Sequence, residues 1–457
     1  MQVASRRGCA LLLLLASTLP GCRDAAPHFA LLLTVDTLRA DALAAYGNDL
    51  ALTPTLDALA AESVVFEHCY APAPFTLASV AGLLTGRYPE ALGVTSNKAV
   101  LPPGPATLAE ELAGAGWATA AVVSNFILRE QAGLARGFQR YDANFPEAEA
   151  VRGAGERTAP GTTAAALAVL DELLQAGPES VFLWVHYQDP HGPYTPPDGY
   201  RERYLEIEAE RHPQSVEPGR GNRGLGTIPH YQFLEGHDEA AWYRAGYDGE
   251  IRFLDDHVAK LFEGLRQRGL WDAASIVFAA DHGEGLGEGN YWFAHGEFLH
   301  DPLVRVPCLL RFPGVAPARL EGPVALLDLA PTLLAQLGLA PPEGLAGIDL
   351  LDAKAQPDQR AISLSTLDEA TLPTRGLVWR GWKYVVREAP GGPREWLYPL
   401  GDESHNRVQQ HPRVLERMRA RFRATQESLT TAPTPVEQEL SAQERERLRA
   451  LGYGADD

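Results

Sequence analysis

Residues 28–36 read HFALLLTVD, and residues 275–282 read SIVFAADH. Each is a β-rich apolar run that stops at an acid: His28–Val35 at Asp36, and Ser275–Ala280 at Asp281 and His282. Apolar runs without alternation suit strands buried on both faces, as in parallel sheets. Two further runs share the form. Thr119–Val123 stops at Ser124 and Asn125, and Val181–Tyr187 stops at Gln188, Asp189, Pro190 and His191. Helical stretches lie between them, over Leu56–Glu62, Thr107–Ala115 and about Ala240–Arg268. In the last of these, Tyr247, Ile251, Leu254, Val258, Leu261 and Leu265 recur at spacings of three and four. Strands alternating with helices predict a layered α/β domain, in which functional groups gather beyond the carboxyl ends of the strands. A single polar residue after a strand is ordinarily a turn residue. Four such ends of one chemical character, Asp, Asn and Asp/His, mark the end of a sheet where chemistry is done.

Outward from these strands, the chain has 457 residues, enough for two or three domains and a large core. It is 45% hydrophobic and 22% charged, as a folded protein is. The formal charge of -19 excludes a nucleic-acid binder that works through bulk basic charge, and a basic peripheral membrane protein. Lys98, Lys260, Lys354 and Lys383 are its only lysines, so an anion site must draw on arginine or histidine. Residues 201–236 are polar and punctuated by Gly and Pro, and read as an insertion loop above the site. After about residue 356 short strands with Gly-rich turns predict a small antiparallel subdomain over 356–412. Helices follow over 413–457, the last opened by a Ser441/Glu444 capping box.

At the N-terminus, Arg6 and Arg7 precede an apolar run, Cys9–Leu19, and then Pro20, Gly21 and Cys22. That pattern predicts a secretory signal over residues 1–21; the run is too short to span a membrane. Leu19-Pro20-Gly21-Cys22 resembles a bacterial lipobox, which implies an extracytoplasmic protein, in the periplasm or at the cell surface, anchored by lipid on Cys22. Cys69 and Cys308 remain; a disulfide and two buried thiols are both open readings.

Asp36, Asp281 and His282, from separate strand ends, form a donor set for one divalent cation. Thr76 is the best-placed hydroxyl. Pro74 precedes it and a helix-like run follows to Gly86, which puts Thr76 at a helix N-terminus, where N–H groups and the dipole favour an anion. A cation beside its oxygen would lower its pKa and make it a nucleophile. The plainer reading of this segment is a threonine N-cap.

At these residues the chain resembles the sulfatase family of the alkaline phosphatase superfamily. The resemblance rests on Asp36-Thr37-Leu38-Arg39-Ala40-Asp41, Thr53-Pro54-Thr55-Leu56-Asp57, Leu83-Leu84-Thr85-Gly86-Arg87-Tyr88-Pro89, Val185-His186-Tyr187-Gln188-Asp189-Pro190-His191 and Asp281-His282-Gly283-Glu284-Gly285-Leu286-Gly287-Glu288. It continues through Ala294-His295-Gly296, Leu327-Asp328-Leu329-Ala330-Pro331-Thr332 and Lys383-Tyr384, and covers roughly residues 28–406. It implies a catalytic domain over 28–355, built on a large mixed, mostly parallel sheet sandwiched by helices. It also implies one divalent metal ion (Mn, Zn, Ca or Mg) held by Asp36, Asp281 and His282, with the nucleophile Thr76 as fourth ligand. Asn97, His191 and His295 match positions that hold the substrate's anionic group or its leaving oxygen. Many members carry a second Asp where Thr37 stands.

The nucleophile segment departs from the family. Sulfatases usually carry C-x-P-x-R, whose cysteine becomes formylglycine; here the matching positions are Thr76, Leu77, Ala78, Ser79 and Val80. No formylglycine is therefore expected. Threonine nucleophiles are typical of the phosphodiesterase and phosphoglycerol or phosphoethanolamine transferase branches. His295 stands where many sulfatases use an anion-binding Lys, and Gly289 where a His often follows Leu-Gly-Glu. The sequence thus predicts a metal-dependent hydrolase or transferase of phosphate mono- or diesters, acting on a small-molecule, glycan or lipid-head-group ester. A sulfuric ester hydrolase using Thr76 is the alternative, and an inactive binding lipoprotein the third. For location, mass spectrometry of the mature N-terminus is expected to find a lipidated Cys22; an unmodified N-terminus at another residue would reject the anchor.

Overall fold

The computed structural model describes residues 27–50, 52–148, 155–355, 359–367, 373–429, 434–450 and 452. The expected signal segment and Cys22 lie outside the described residues. The four apolar runs are strands: β1 (His28–Val35), β3 (Ala118–Val123), β5 (Ser180–Tyr187) and β6 (Ser275–Ala280). With β2 (Val64–Phe66), β4 (Arg140–Asp142), β7 (Cys308–Arg311) and β8 (Ala318–Leu320) they build one eight-stranded sheet, ordered β8-β2-β7-β6-β1-β5-β3-β4. β7 alone runs antiparallel to the rest. β1 and β6 are buried along nearly their whole length, as their unbroken apolar sequences require.

Two groups of helices cover the sheet. α1 (Pro54–Ala61), α4 (Ala159–Gln175) and α5 (Ala240–Gln267) pack together, and α2 (Thr76–Thr85), α3 (Leu108–Gly114) and α6 (Leu329–Gln336) form the other group. The three-and-four pattern of α5 is its core stripe, since Tyr247, Ile251, Leu254, Val258, Leu261 and Leu265 are all buried. α3 opens with a capping box, Thr107 Oγ1 accepting from Glu110 N while Glu110 Oε2 accepts from Thr107 N at 2.9 Å. Within 201–236, Leu205–Arg211 forms a short helix tied to α5 by Glu208 and Arg244 at 2.8 Å, so that stretch is not loop throughout. Farther along it, Tyr231 and Gln232 are buried, and Gln232 lies so close to Gly192 that a Cβ there would overlap its amide.

A separate four-stranded antiparallel sheet follows: β9 (Ile362–Ser365), β10 (Thr374–Trp379), β11 (Trp382–Arg387) and β12 (Arg394–Pro399). Lys383 on β11 is 1% exposed and donates to Asp301 Oδ1 at 2.8 Å and Glu403 Oε1 at 2.6 Å, so a buried cation fastens this sheet to the segment after the site. α7 (Pro412–Leu429) and α8 (Ala442–Ala450) close the described chain, and Ser441 and Glu444 make the capping box read from the sequence. Cys69 and Cys308 are buried free thiols. No helix of the described residues is long and apolar enough to cross a membrane.

Asp255, fully buried on α5, accepts from Thr55 N at 2.9 Å and Leu56 N at 3.0 Å, and so caps α1 from a distant helix. Asp255→Ala is expected to cost about 1–2 kcal/mol in urea unfolding, as the loss of a cap does. An unchanged midpoint would show that α1 does not depend on it.

Candidate active site

Strand register brings the acids together. Val35 pairs with Ala280 on one side and with Tyr187 on the other, so the chains leave β1, β6 and β5 level with one another. Asp36 N then donates to Tyr187 O at 3.0 Å, and Asp281 N to Val35 O at 3.1 Å. Both carboxylates and His282 are fully buried. Thr37 takes a left-handed φ of 54° and turns its N–H onto Asp281 Oδ1 at 3.3 Å. At the position where many members carry a second acid, the backbone thus orients the acid of another strand.

His282 Nε2 lies 3.6 Å from Asp36 Oδ1, 3.8 Å from Asp281 Oδ2 and 3.4 Å from Thr76 Oγ1. Its Nδ1 is 2.9 Å from Gly283 O, and a carbonyl can only accept, so Nδ1 carries the proton and Nε2 faces the acids with a lone pair. Thr76 is the first residue of α2, not its cap: Phe75 holds the N-cap position with no side-chain bond. The acceptor for this helix end comes instead from Asn97, whose Oδ1 takes the Leu77 N–H at 2.9 Å. The Thr76 hydroxyl lies 3.4 Å from His282 Nε2.

His295 and His191 stand next to this group. The His282 and His295 rings are 4.5 Å apart, and those of His191 and His295 5.2 Å. His191 Nδ1 donates to Gly192 O at 2.9 Å, which fixes its tautomer in the same way. His295 Nδ1 faces Glu284 Oε1 at 3.3 Å. Burial pushes the Glu284 carboxyl up to about 7 and, helped by His282, pulls His295 down to about 3, so both are biased toward their neutral forms. All of the residues expected from the sequence, Asp36, Thr76, Asn97, His191, Asp281, His282 and His295, are thus within one neighbourhood.

Three more belong to it. Asn125, at the end of β3, donates its side-chain amide to Asp36 Oδ2 and accepts from Ile127 N at 2.8 Å. His186 on β5 puts Nε2 3.8 Å from Asp36 Oδ2, with Nδ1 2.8 Å from Thr34 Oγ1. Glu284 backs His295. A histidine inside an otherwise apolar strand was the available signal for His186, and the strand-end position for Asn125.

The donor set fits a divalent cation. Asp36 Oδ1, Asp281 Oδ2 and His186 Nε2 are buried without a hydrogen-bond partner, and Asp36, His186 and Asp281 offer ligand atoms within 4.8 Å of one another. Burial would raise Asp36, but His186, His191 and His282 outweigh it and hold that carboxyl well below its ordinary range. Burial and the negative charge of Asp36 push Asp281 well above. Two such carboxylates charge together only around a cation.

The sulfatase family model matches residues 28–339. Choline-sulfatase of Rhizobium meliloti (strain 1021) is 26% identical over 350 residues, covering 68% of this chain and 67% of that protein. Among solved structures, the 2-O GAG sulfatase BT1596 superposes with a TM-score of 0.70 at 19% identity, over 93% of this chain and 96% of that one. The phosphonate monoester hydrolase of Agrobacterium radiobacter does so with a TM-score of 0.68 at 19% identity, over 90% and 100%.

Removing one acid leaves the others buried and unbalanced. Asp281→Ala is expected to lose the bound divalent ion, read by elemental analysis of the purified protein, together with activity; full metal occupancy in that variant would reject the cradle.

Proposed function

This chain belongs to the sulfatase family, and from that premise we propose that it hydrolyses phosphate or phosphonate esters, with Thr76 as a covalent nucleophile. The observation that carries this reading is the Thr76 hydroxyl at the first turn of α2, 3.4 Å from His282 Nε2, with Asn97 accepting the neighbouring Leu77 N–H. A threonine ester has no aldehyde to collapse to, so it is released by attack at the transferred atom itself, which is routine at phosphorus.

Asp36, His186 and Asp281, with His282 beside them, would hold a divalent cation, which would supply Lewis acidity at the anionic ester. The protein's own groups do the rest. The N-terminus of α2 favours the negative substrate, and Asn125 and His186 fix Asp36. Thr76 Oγ attacks in line, the bond from the central atom to the leaving oxygen breaks, and the threonyl ester forms. The threonine proton is released to solvent as the hydroxyl attacks, and His191 or His295, adjacent rings in the site, supplies the proton that the leaving oxygen takes up. Water then attacks the threonyl ester, the bond to Thr76 Oγ breaks, and the proton lost by the water is balanced by one taken up at that oxygen, which restores the threonine hydroxyl.

Sulfuric ester hydrolysis is the second reading, favoured by the relatives named as sulfatases, such as the choline-sulfatase. In both readings the substrate is a small-molecule, glycan or lipid-head-group ester met outside the cytoplasm.

Thr76→Ala is expected to lower turnover of the best substrate by several orders of magnitude while the circular dichroism spectrum is kept. Aryl phosphate, aryl phosphonate and aryl sulfate monoesters assayed in parallel separate the two readings. Acid quench of the phosphoryl reaction is expected to trap phosphorylated Thr76, and a variant retaining more than a small fraction of the wild-type rate overturns the covalent route.

A further inference from the structure

Two consecutive residues at the end of β3 face two different places. Asn125 turns to Asp36, while Phe126 lines a cavity of about 540 Å³ between the turn after β3, the end of β4 and α8. Since β3 and β4 run parallel to β1, β5 and β6, this cavity lies at the same carboxyl end of the sheet as Thr76 and His282. Its volume falls in the range that holds a small ligand.

The wall contains an arginine with unused donors. Arg129 is 5% exposed, its guanidinium 4.1 Å from the Phe126 ring centre, and its Nη1 donates to Phe126 O at 3.1 Å. Nε and Nη2 have no hydrogen-bond partner. These two N–H groups form one edge of the guanidinium, the edge that grips an oxyanion with two parallel bonds. Glu444 Oε1 is 3.6 Å from Nε, beyond hydrogen-bond length, and its other oxygen is held by Ser441 N and Oγ at 2.8 and 2.7 Å. A second cation, Arg447 on α8, stands 5.5 Å from the same Phe126 ring. Of the other charges nearby, Asp142 is paired with Arg157 and Arg140 with Glu172, while Glu130 adds an exposed carboxylate to the wall. Burial, with repulsion from Arg447, holds Arg129 below its ordinary value despite Glu444, which is what two close cations give when one carboxylate serves them. Buried guanidinium N–H groups without acceptors are costly, and the cavity beside them offers room for an acceptor.

We propose that this cavity is an oxyanion subsite, in which Arg129 and Arg447 take a second anionic group, carboxylate or sulfate, of a glycan whose ester lies at Thr76. The proposal rests on the ester-hydrolase reading for the identity of that glycan, and on Arg129 and Arg447 alone for the binding. The competing role for Arg129 is purely mechanical, a pin for α8 through Glu444.

The test uses a sulfated disaccharide carrying one uronate carboxylate, its neutral-sugar counterpart with the same sulfate ester, and an aryl sulfate. In Arg447→Gln, kcat/KM for the uronate disaccharide is expected to fall about tenfold, the worth of one hydrogen bond to a charged group. The other two substrates should stay at wild-type values. An equal fall on all three, or no fall on any, overturns the subsite. Binding is also read without turnover, by labelling the wild-type protein with phenylglyoxal and locating modified arginines by peptide mass spectrometry. Arg447 should be protected by the uronate disaccharide and not by the neutral one. If none of these sulfate esters is turned over, only the sulfuric-ester reading has failed, and protection alone decides: protection keeps the subsite, and equal labelling with and without the disaccharide rejects it. Arg129→Lys, which keeps the charge but not the two-bond edge, should weaken the protection while α8 stays in place.

Discussion

Asp36 and Asp281 are held side by side in a dry site by the pairing of Val35 with Ala280. Two carboxylates in that position repel, and burial favours neither charge. The remainder of the neighbourhood answers this problem. His282 and His186 bring imidazole nitrogens to opposite oxygens of Asp36, Asn125 donates to it, and the Thr37 N–H supports Asp281. A site arranged in this way has one unmet need, positive charge at its centre. That need suits a cation held among Asp36, His186 and Asp281.

Much of what marks the family in this sequence holds the frame rather than doing chemistry. Arg39 is pinned between Asp41 at 2.6 Å and Glu288 at 2.8 Å, and it also donates to Glu284 O, so it ties the turn after β1 to the turn carrying the glutamate behind His295. Asp57 accepts from Ala45 N and Thr53 Oγ1 and closes the turn that starts α1. Asp328 accepts from Ala325 N and Ile348 N while paired with Arg360, which fixes the approach to α6. Each has several partners, and for the buried Arg39 and Asp328 this is the arrangement that makes a charge tolerable away from water.

The end of α2 shows how capping serves function. A threonine at a helix start ordinarily binds its own backbone. Here the chain enters through Phe75, and Asn97, from a loop, satisfies the exposed N–H. The Thr76 hydroxyl stands 3.4 Å from His282 Nε2.

The sequence by itself determined the α/β layering, because continuous apolar runs can only be strands covered on both faces, and helical spacing supplied the cover. It also determined which acids and histidines could meet, because strand ends of a parallel sheet share one edge: Asp36, Asp281, His282 and His191 were legible for that reason. Thr76, Asn97 and His295 were legible through resemblance, and Thr76 also through its helix start. What the tertiary structure decided depends on register and on neighbours distant in the chain. His186 looked like one more strand residue until its pairing with Thr34 set it beside Asp36. Glu284 gained its role only when the turn after β6 placed it against His295. Thr76 proved to be the first residue of α2 rather than its cap, and the Leu77 N–H finds its acceptor in Asn97, from a loop 20 residues farther on. Periodicity records which side of an element is buried; it carries no record of which side chain from another element fills the space opposite.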